Sequence, residues 1–569
     1  MVYQVFIFSY KEGCKKLPQP ICNPVHSLRI TYSLENEKMK VLVADKIAES
    51  GVDYLRQQEG FEVIEAYGST PEQLKELARD VDAIIVRSAS EVTADIMETA
   101  QNLKAVGRAG VGVDNIDIDA ATSRGVIVMN TPSGNTIATC ELAFTHLLCA
   151  ARPIVQADAS MRRGEWNKKA YAKGTELRGK TLGILGLGRI GRQVGKRARG
   201  FDMKVIGYDP YVTAEHIKDM DIEKVELEEL FSRADFITIH MPRTEDTYHM
   251  INKDSLAIMK DGVRIVNCAR GGLVKEEDLI EAAKSGKVAY AGLDVFEKEP
   301  MAEDHELRSV PNIVLTPHLG ASTTEAQESV GLEVAELVVS VLRDKIVRNA
   351  INMPSVDPAS MKALAPYLTL GKKLGQLLQK ITPNALASIQ VTYWGKLNDF
   401  DTTPLTRAIQ RGYLNNIVSG VNDVNAPRCM KRLGVTCSVT SSDSDADYTE
   451  LVRVEAKDSE GNEYSLEGTL IGKNLKPRVV HVNGRDIEFG MRYVLLILEN
   501  NDVPGIVGMV GTVLAKHNLN IANMALSRNN VGGVALNVCA LDSVPSKEAL
   551  EEIRSHQDIV KLHLVDFSA

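Results

Sequence analysis

An arginine, a glutamate and a histidine follow three successive apolar runs in the middle of this chain. Arg270 comes after Val263-Arg264-Ile265-Val266-Asn267. Glu299 comes after a run that ends in Leu293-Asp294-Val295, and His318 after Ile313-Val314-Leu315-Thr316. If those runs are parallel strands, all three side chains stand at carboxyl ends, where an open α/β sheet binds its ligands. Oxidation of a 2-hydroxy acid needs these three types. A guanidinium holds the carboxylate bidentately and polarises the developing carbonyl. An imidazole, whose ordinary pKa lies near neutrality, accepts the hydroxyl proton as hydride departs. A carboxylate behind it fixes the tautomer and favours the imidazolium. Glu299 is assigned that last role because Pro300 stiffens the chain beside it, with Glu297 as the alternative. Taken singly, Arg270 reads equally well as a surface ion-pair partner and His318 as a loop histidine. The ordered set points to catalysis.

The hydride acceptor has its own signature. Thr181-Leu182-Gly183-Ile184-Leu185 leads into Gly186-Leu187-Gly188-Arg189-Ile190-Gly191, and Val205-Ile206-Gly207-Tyr208 ends in Asp209. Strand, glycine turn, helix, strand and acid in that order form a dinucleotide-binding unit. Gly186 permits the turn, Gly188 lets backbone approach a pyrophosphate, and Gly191 lets helix pack on strand. The helix opening at Arg189 offers unpaired N–H groups to the phosphates. Asp209 would accept both ribose hydroxyls and repel a 2′-phosphate, so NAD is expected rather than NADP.

These elements need a scaffold of several domains, since 569 residues exceed one core. Short apolar runs alternate with helical patterns from Met39 to about Asn130, and again from Lys180. The expected fold class is therefore α/β, with two doubly wound parallel-sheet domains of Rossmann or flavodoxin type. After Asn352-Met353-Pro354 the style changes to helices mixed with hairpins, and no catalytic constellation appears. From Tyr493 the pattern reads βαββαβ, a ferredoxin-like module. The boundaries expected are 39–138 with 325–350 for a substrate-binding domain and 139–324 for the NAD domain. Residues 351–490 would be an α+β intervening domain and 491–569 a terminal regulatory module. Residues 1–38 lack a sustained period and a signal-peptide core, so a disordered extension before Met39 is expected. The net charge of −9 argues against a nucleic-acid partner. No apolar run approaches a membrane span. Eight scattered cysteines without CxxC suggest buried reduced thiols, no metal site and a cytoplasmic location.

The chain resembles the D-isomer-specific 2-hydroxyacid dehydrogenase family. The resemblance is carried by Gly107-Arg108-Ala109-Gly110-Val111-Gly112-Val113-Asp114-Asn115, the glycine turn, the segment 267–272 and Pro317-His318-Leu319-Gly320-Ala321. It implies a long-form member that oxidises 3-phosphoglycerate to 3-phosphooxypyruvate with NAD, the committing step of serine synthesis. It also implies Arg270, Glu299 and His318 as the catalytic set. Implied cofactor contacts are Val111, Gly186, Gly188, Arg189, Ile190, Gly191, Asp209, Cys268, Ala269, Arg270, Asp294, His318, Gly320 and Ala321, with Asp294 receiving the nicotinamide carboxamide. Arg87, Arg108 and Asn135 match substrate loops. The terminal module resembles an ACT domain, in which Asp502 and Asn520 would meet the effector L-serine, although Asp502 could instead cap the helix that follows. Paired modules imply a homodimer or homotetramer, with the Trp-containing stretch 162–169 against a second subunit. The alternatives are a glyoxylate or hydroxypyruvate reductase, an NAD-sensing corepressor, or an amino-acid sensor with a dead dehydrogenase.

Overall fold

The computed structural model describes residues 38–567 apart from Ala214 and Asp445. The extension expected over residues 1–38 lies outside the described residues except for Lys38. Four sheets make up the described chain.

The first holds five parallel strands in the order Phe61–Glu65, Met39–Val43, Ala83–Val86, Ala105–Arg108 and Ile127–Asn130. Val41, Leu42, Ile84, Ile85, Val106 and Val128 are fully buried, as near-continuous apolar strands covered on both faces must be. Helix Thr324–Val339 returns to this sheet after the second one is complete and packs Val334 and Val338 into its core. The linker expected at 352 is itself anchored here. The Asn352 carboxamide accepts the Val128 N–H and donates to the Val126 carbonyl, and the Ile351 N–H bonds the Val128 carbonyl.

The second sheet has seven parallel strands in the order Ile313–Leu315, Val288–Leu293, Val263–Asn267, Phe236–Ile239, Thr181–Leu185, Lys204–Tyr208 and Glu223–Lys224. Sequence direction reverses beside Thr181–Leu185, which puts the ligand crevice at its carboxyl end.

A six-stranded mixed sheet follows, and it contains one parallel pair, Leu386–Trp394 with Thr436–Ser442. Helices Thr403–Leu414 and Ala426–Arg432 lie between those two strands, so the connection can cross over. Helix Pro358–Ile381, capped by the Asp357 carboxylate, covers the sheet through Leu370 and Leu374. The last sheet is antiparallel, in the order Ile521–Arg528, Val534–Leu541, Val494–Asn501 and Ile559–Asp566, with helices Ile506–Lys516 and Lys547–Arg554. The α/β fold class with added α+β and ferredoxin-like parts is as expected from sequence. Among the described residues no helix is long and apolar enough to cross a membrane, and no group of three His, Cys, Asp or Glu could hold a metal.

Candidate active site

The glycine turn has the geometry that a dinucleotide needs. Gly186 sits at φ +95°, and a Cβ there would lie 2.5 Å from the His240 carbonyl oxygen. A Cβ on Gly191 would lie 2.0 Å from the Gly186 carbonyl oxygen, so helix and turn touch through backbone alone. At Gly188 nothing lies within 4 Å of a Cβ position, which leaves an open approach to the backbone. Helix Arg189–Gly200 starts there with no side-chain cap and no acid in its first turn; Ile190 is half-buried at its start. Its first N–H groups and positive dipole end therefore suit an anion. The Asp209 carboxylate accepts the Leu187 N–H at 2.9 Å and the Tyr211 N–H at 2.9 Å. Lone pairs remain on it for ribose hydroxyls. These residues fit NAD. Gly188→Ala should leave the melting temperature within about 2 °C of wild type, because it creates no contact. NADH affinity, read by fluorescence titration, should fall at least about tenfold as the methyl meets the pyrophosphate.

The three chemical side chains come from loops that follow neighbouring strands of the second sheet. The His318 Nδ1 lies 2.6 Å from the Glu299 Oε2. That pairing puts the ring proton on Nδ1 and leaves Nε2 as the acceptor. The other Glu299 oxygen accepts the Phe296 N–H at 3.0 Å. Burial pushes the Glu299 carboxyl up, but the His318 hydrogen bond, the Phe296 N–H and the Arg270 charge outweigh it and hold it below the ordinary range. Glu297 is occupied elsewhere, by His249 Nε2 at 3.0 Å and the Glu276 N–H at 3.2 Å.

His318 itself adopts φ +54°, a left-handed conformation that disfavours residues with a Cβ. Asp294, with no exposed surface, holds it there. Its carboxylate accepts the Thr316 hydroxyl at 2.6 Å, the Leu319 N–H at 2.7 Å and the Gly320 N–H at 2.8 Å, while its carbonyl accepts the His318 N–H at 2.9 Å. The Thr139 hydroxyl donates to the Gly320 carbonyl from the helix Thr136–Ala151. Three of about four lone-pair positions on Asp294 are thus spent on the turn, beside the nicotinamide contact expected of it.

Arg270 is presented by Asn267, whose side chain accepts the Ala269 N–H and donates to the Arg270 carbonyl. Its guanidinium donates to the Ala269 carbonyl and lies 3.3 Å from the Asp114 carboxylate on the first sheet's loop. A Cβ on Gly112 would fall 2.2 Å from Arg270 Nη2, so this glycine makes room for the arginine. Arg108 stands at the end of its strand. Burial and the charges of Arg270 and Arg87 push it down to about 10, against partial support from Asp114 and Asp45. Its buried Nε has no partner in the protein, and neither does the Asn135 Oδ1 at the start of helix Thr136–Ala151. Arg87 is half-buried, its N–H bound to the Asp45 carboxylate at 2.6 Å and its guanidinium to the Lys46 carbonyl. The Val111 carbonyl accepts from Asn130, Ala321 is half-buried, and burial raises the Cys268 thiol well above its ordinary value. Asp45, Asn115, Asp114 and Asn267 were not singled out from sequence. Asn267 alone carried a signal, as a polar residue closing a buried strand.

One expectation in the terminal module needs correction. Asp502 does not cap a helix: Gly505 is the N-cap of Ile506–Lys516, and Asp502 instead binds Arg528 at 2.8 Å and the Gly532 N–H at 3.1 Å. Within one chain Asp502 and Asn520 lie apart. Asn520 precedes strand Ile521–Arg528, where its carboxamide binds Asp542, whereas Asp502 is tied to the far end of that strand. Eight strand residues put about 26 Å between those ends.

Comparisons with known proteins assign the family. Residues 144–320 match the NAD binding domain of the D-isomer specific 2-hydroxyacid dehydrogenases, and residues 363–483 match the D-3-phosphoglycerate dehydrogenase intervening domain. A D-3-phosphoglycerate dehydrogenase of Archaeoglobus fulgidus is 41% identical over 531 residues, 93% of this chain and 100% of that protein. That of Bacillus subtilis is 38% identical over 93% of this chain and 99% of its own length. Among solved structures, a glyoxylate reductase from Paecilomyes thermophila aligns at 32% identity and TM-score 0.51, over 55% of this chain and 98% of its own. D-mandelate dehydrogenase of Rhodotorula graminis aligns at 31% and 0.52, over 56% and 99%. The chain belongs to the D-3-phosphoglycerate dehydrogenases, within the NAD-dependent D-isomer-specific 2-hydroxyacid dehydrogenase family.

Proposed function

We propose that this enzyme oxidises 3-phospho-D-glycerate to 3-phosphooxypyruvate with NAD, the committing step of L-serine synthesis. The observation that carries this reading is the His318–Glu299 pair beside Arg270, with Arg108 feeling the charges of both Arg270 and Arg87. Arginines crowded at one cleft repel, and an anion relieves that repulsion. A bare 2-hydroxy acid has one carboxylate for Arg270; Arg87 and Arg108 suit an additional phosphate, and the buried Asn135 Oδ1 has no protein donor of its own. NAD, held by the glycine turn and Asp209, would supply the hydride acceptor for C2. The His318 Nε2 takes the C2 hydroxyl proton, Glu299 steadies the resulting imidazolium, and Arg270 holds the carboxylate and polarises the forming ketone. The names of the relatives similar over almost their full length support the phosphorylated substrate.

On this reading the domains divide as 39–138 with 325–350, 139–324, 351–490 and 491–569, and the matched family segments fall inside two of them. The terminal module serves as a serine-sensing ACT domain. Because Asp502 and Asn520 lie at opposite ends of one strand, they share a ligand only across two paired modules, which makes the enzyme an oligomer. Trp166, 84% exposed, suits a subunit contact. The free thiols among the described residues suit a cytoplasmic location.

NADH formation measured with a panel of 2-hydroxy acids tests the substrate. We expect kcat/KM for 3-phosphoglycerate to exceed that for glycerate at least about 100-fold, and Arg108→Gln to remove most of that preference. Equal rates with and without the phosphate would overturn it. Calorimetry should detect serine binding that Asp502→Ala abolishes; no heat at millimolar serine would retire the effector.

A further inference from the structure

A closed cluster of two carboxylates and two histidines lies one short segment away from the reacting groups. Glu276 opens helix Glu276–Ser285, and Glu297 precedes Glu299 by two residues. Each carboxylate accepts the other's backbone N–H: Glu297 N–H to Glu276 Oε1 at 2.7 Å, and Glu276 N–H to Glu297 Oε1 at 3.2 Å. Each also carries a histidine, His249 on Glu297 at 3.0 Å and His305 on Glu276 at 3.1 Å. The His305 Nδ1 accepts the Leu307 N–H, so its proton sits on Nε2 and points to Glu276.

Two further contacts tie this cluster to both catalytic loops. A Cβ on Gly271 would lie 1.7 Å from the Phe296 carbonyl oxygen and 3.0 Å from the Glu297 nitrogen, so the residue after Arg270 rests on the Phe296–Glu297 peptide. The His249 N–H bonds the Gly272 carbonyl at 2.7 Å. Glu276 is 8% exposed, and burial together with the Glu297 charge raises its carboxyl. Burying the Glu276 carboxylate beside a second acid is costly unless it is hydrogen-bonded, and a neutral side chain could have stood at the start of this helix. The acids do what a neutral cap would not: each accepts two donors and locks the Glu299 segment to the Arg270 segment.

We propose that Glu276 and Glu297 are positioning residues that set Glu299 and Arg270 in register with each other, and through Glu299 orient His318. The proposal rests on the catalytic roles given above for those three residues. Displacing a reacting group by an ångström costs on the order of 100-fold. Glu276→Ala, which removes the acceptor for the Glu297 N–H, should lower kcat about 30-fold and leave NADH affinity unchanged. The acid limb of its pH profile should move to lower pH, because a displaced Glu299 no longer favours the imidazolium. Glu276→Gln keeps the acceptor and should retain kcat within about threefold. If the brace serves stability alone, Glu276→Ala will melt earlier but keep the wild-type kcat and acid limb per folded molecule, and that result overturns the proposal. Should Glu276→Ala not fold, Glu297→Ala, at a half-exposed position, is read the same way with the same overturning result. Turnover surviving in His318→Ala would instead sink the catalytic reading beneath the proposal.

Discussion

Replacing His318 by Ala should lower kcat by about three orders of magnitude, since general-base assistance contributes about 10²–10⁴-fold and no neighbouring group can replace it. Glu299, the nearest acid, would be left facing a cavity without the imidazole through which it acts. The dinucleotide crevice is built from Gly186, Gly188 and Asp209, on different loops, so NADH titration should give a near wild-type Kd. The turn itself should survive, because Asp294 grips it through Leu319, Gly320 and Thr316 and not through the imidazole. Alanine at φ +54° pays the same local penalty as histidine, so the melting temperature should change by only a few degrees. Stopped-flow absorbance at 340 nm would separate a lost chemical step from slow release.

Arg270→Lys should reduce kcat/KM for the 2-hydroxy acid by about 100-fold or more, with charge conserved. An ammonium cannot make the planar two-point contact that a carboxylate receives from a guanidinium. The Asp114 contact would also change, since Arg270 now reaches it through Nε while Nη1 binds the Ala269 carbonyl. Both KM and kcat should suffer, because the same group holds the ground-state carboxylate and the charge that develops on C2 oxygen. Glu299 would feel a displaced cation and lose part of what holds its carboxyl low. Its pairing with His318 would then be lost at a higher pH on acidification than in wild type. The sign follows from its depressed pKa: a carboxyl held low in the folded protein favours the native arrangement above its unfolded pKa and gives that up as pH falls.

Much of this was legible in the chain because the site sits on parallel strands. Runs such as Ala83–Val86 are apolar on both faces, Val263–Asn267 is buried apart from a half-buried Arg264, and the residue after each run marks a loop on the ligand side. The glycine turn was readable for the same reason, since each glycine answers a separate steric demand. What stayed hidden depends on contacts between distant segments. Glu297 and Glu299 are two residues apart in an irregular stretch, and no periodicity tells which of them meets His318. Strand Leu386–Trp394 mixes Ser, Gln and Thr with its apolar residues, and its parallel partner Thr436–Ser442 lies more than forty residues on. Asp502 and Asn520 look close in sequence, yet the helix and turn between them return the chain to the opposite end of the sheet.

One substrate must touch His318 and Arg270 together. A crystal structure of the dead-end complex with NADH and 3-phosphoglycerate, both already reduced, measures this directly. We expect the C2 hydroxyl at about 3 Å from the His318 Nε2, the carboxylate bridged by Arg270, and the phosphate at Arg87 and Arg108. A substrate bound with its hydroxyl away from the imidazole, or its carboxylate held by other groups while Arg270 stays on Asp114, would contradict it.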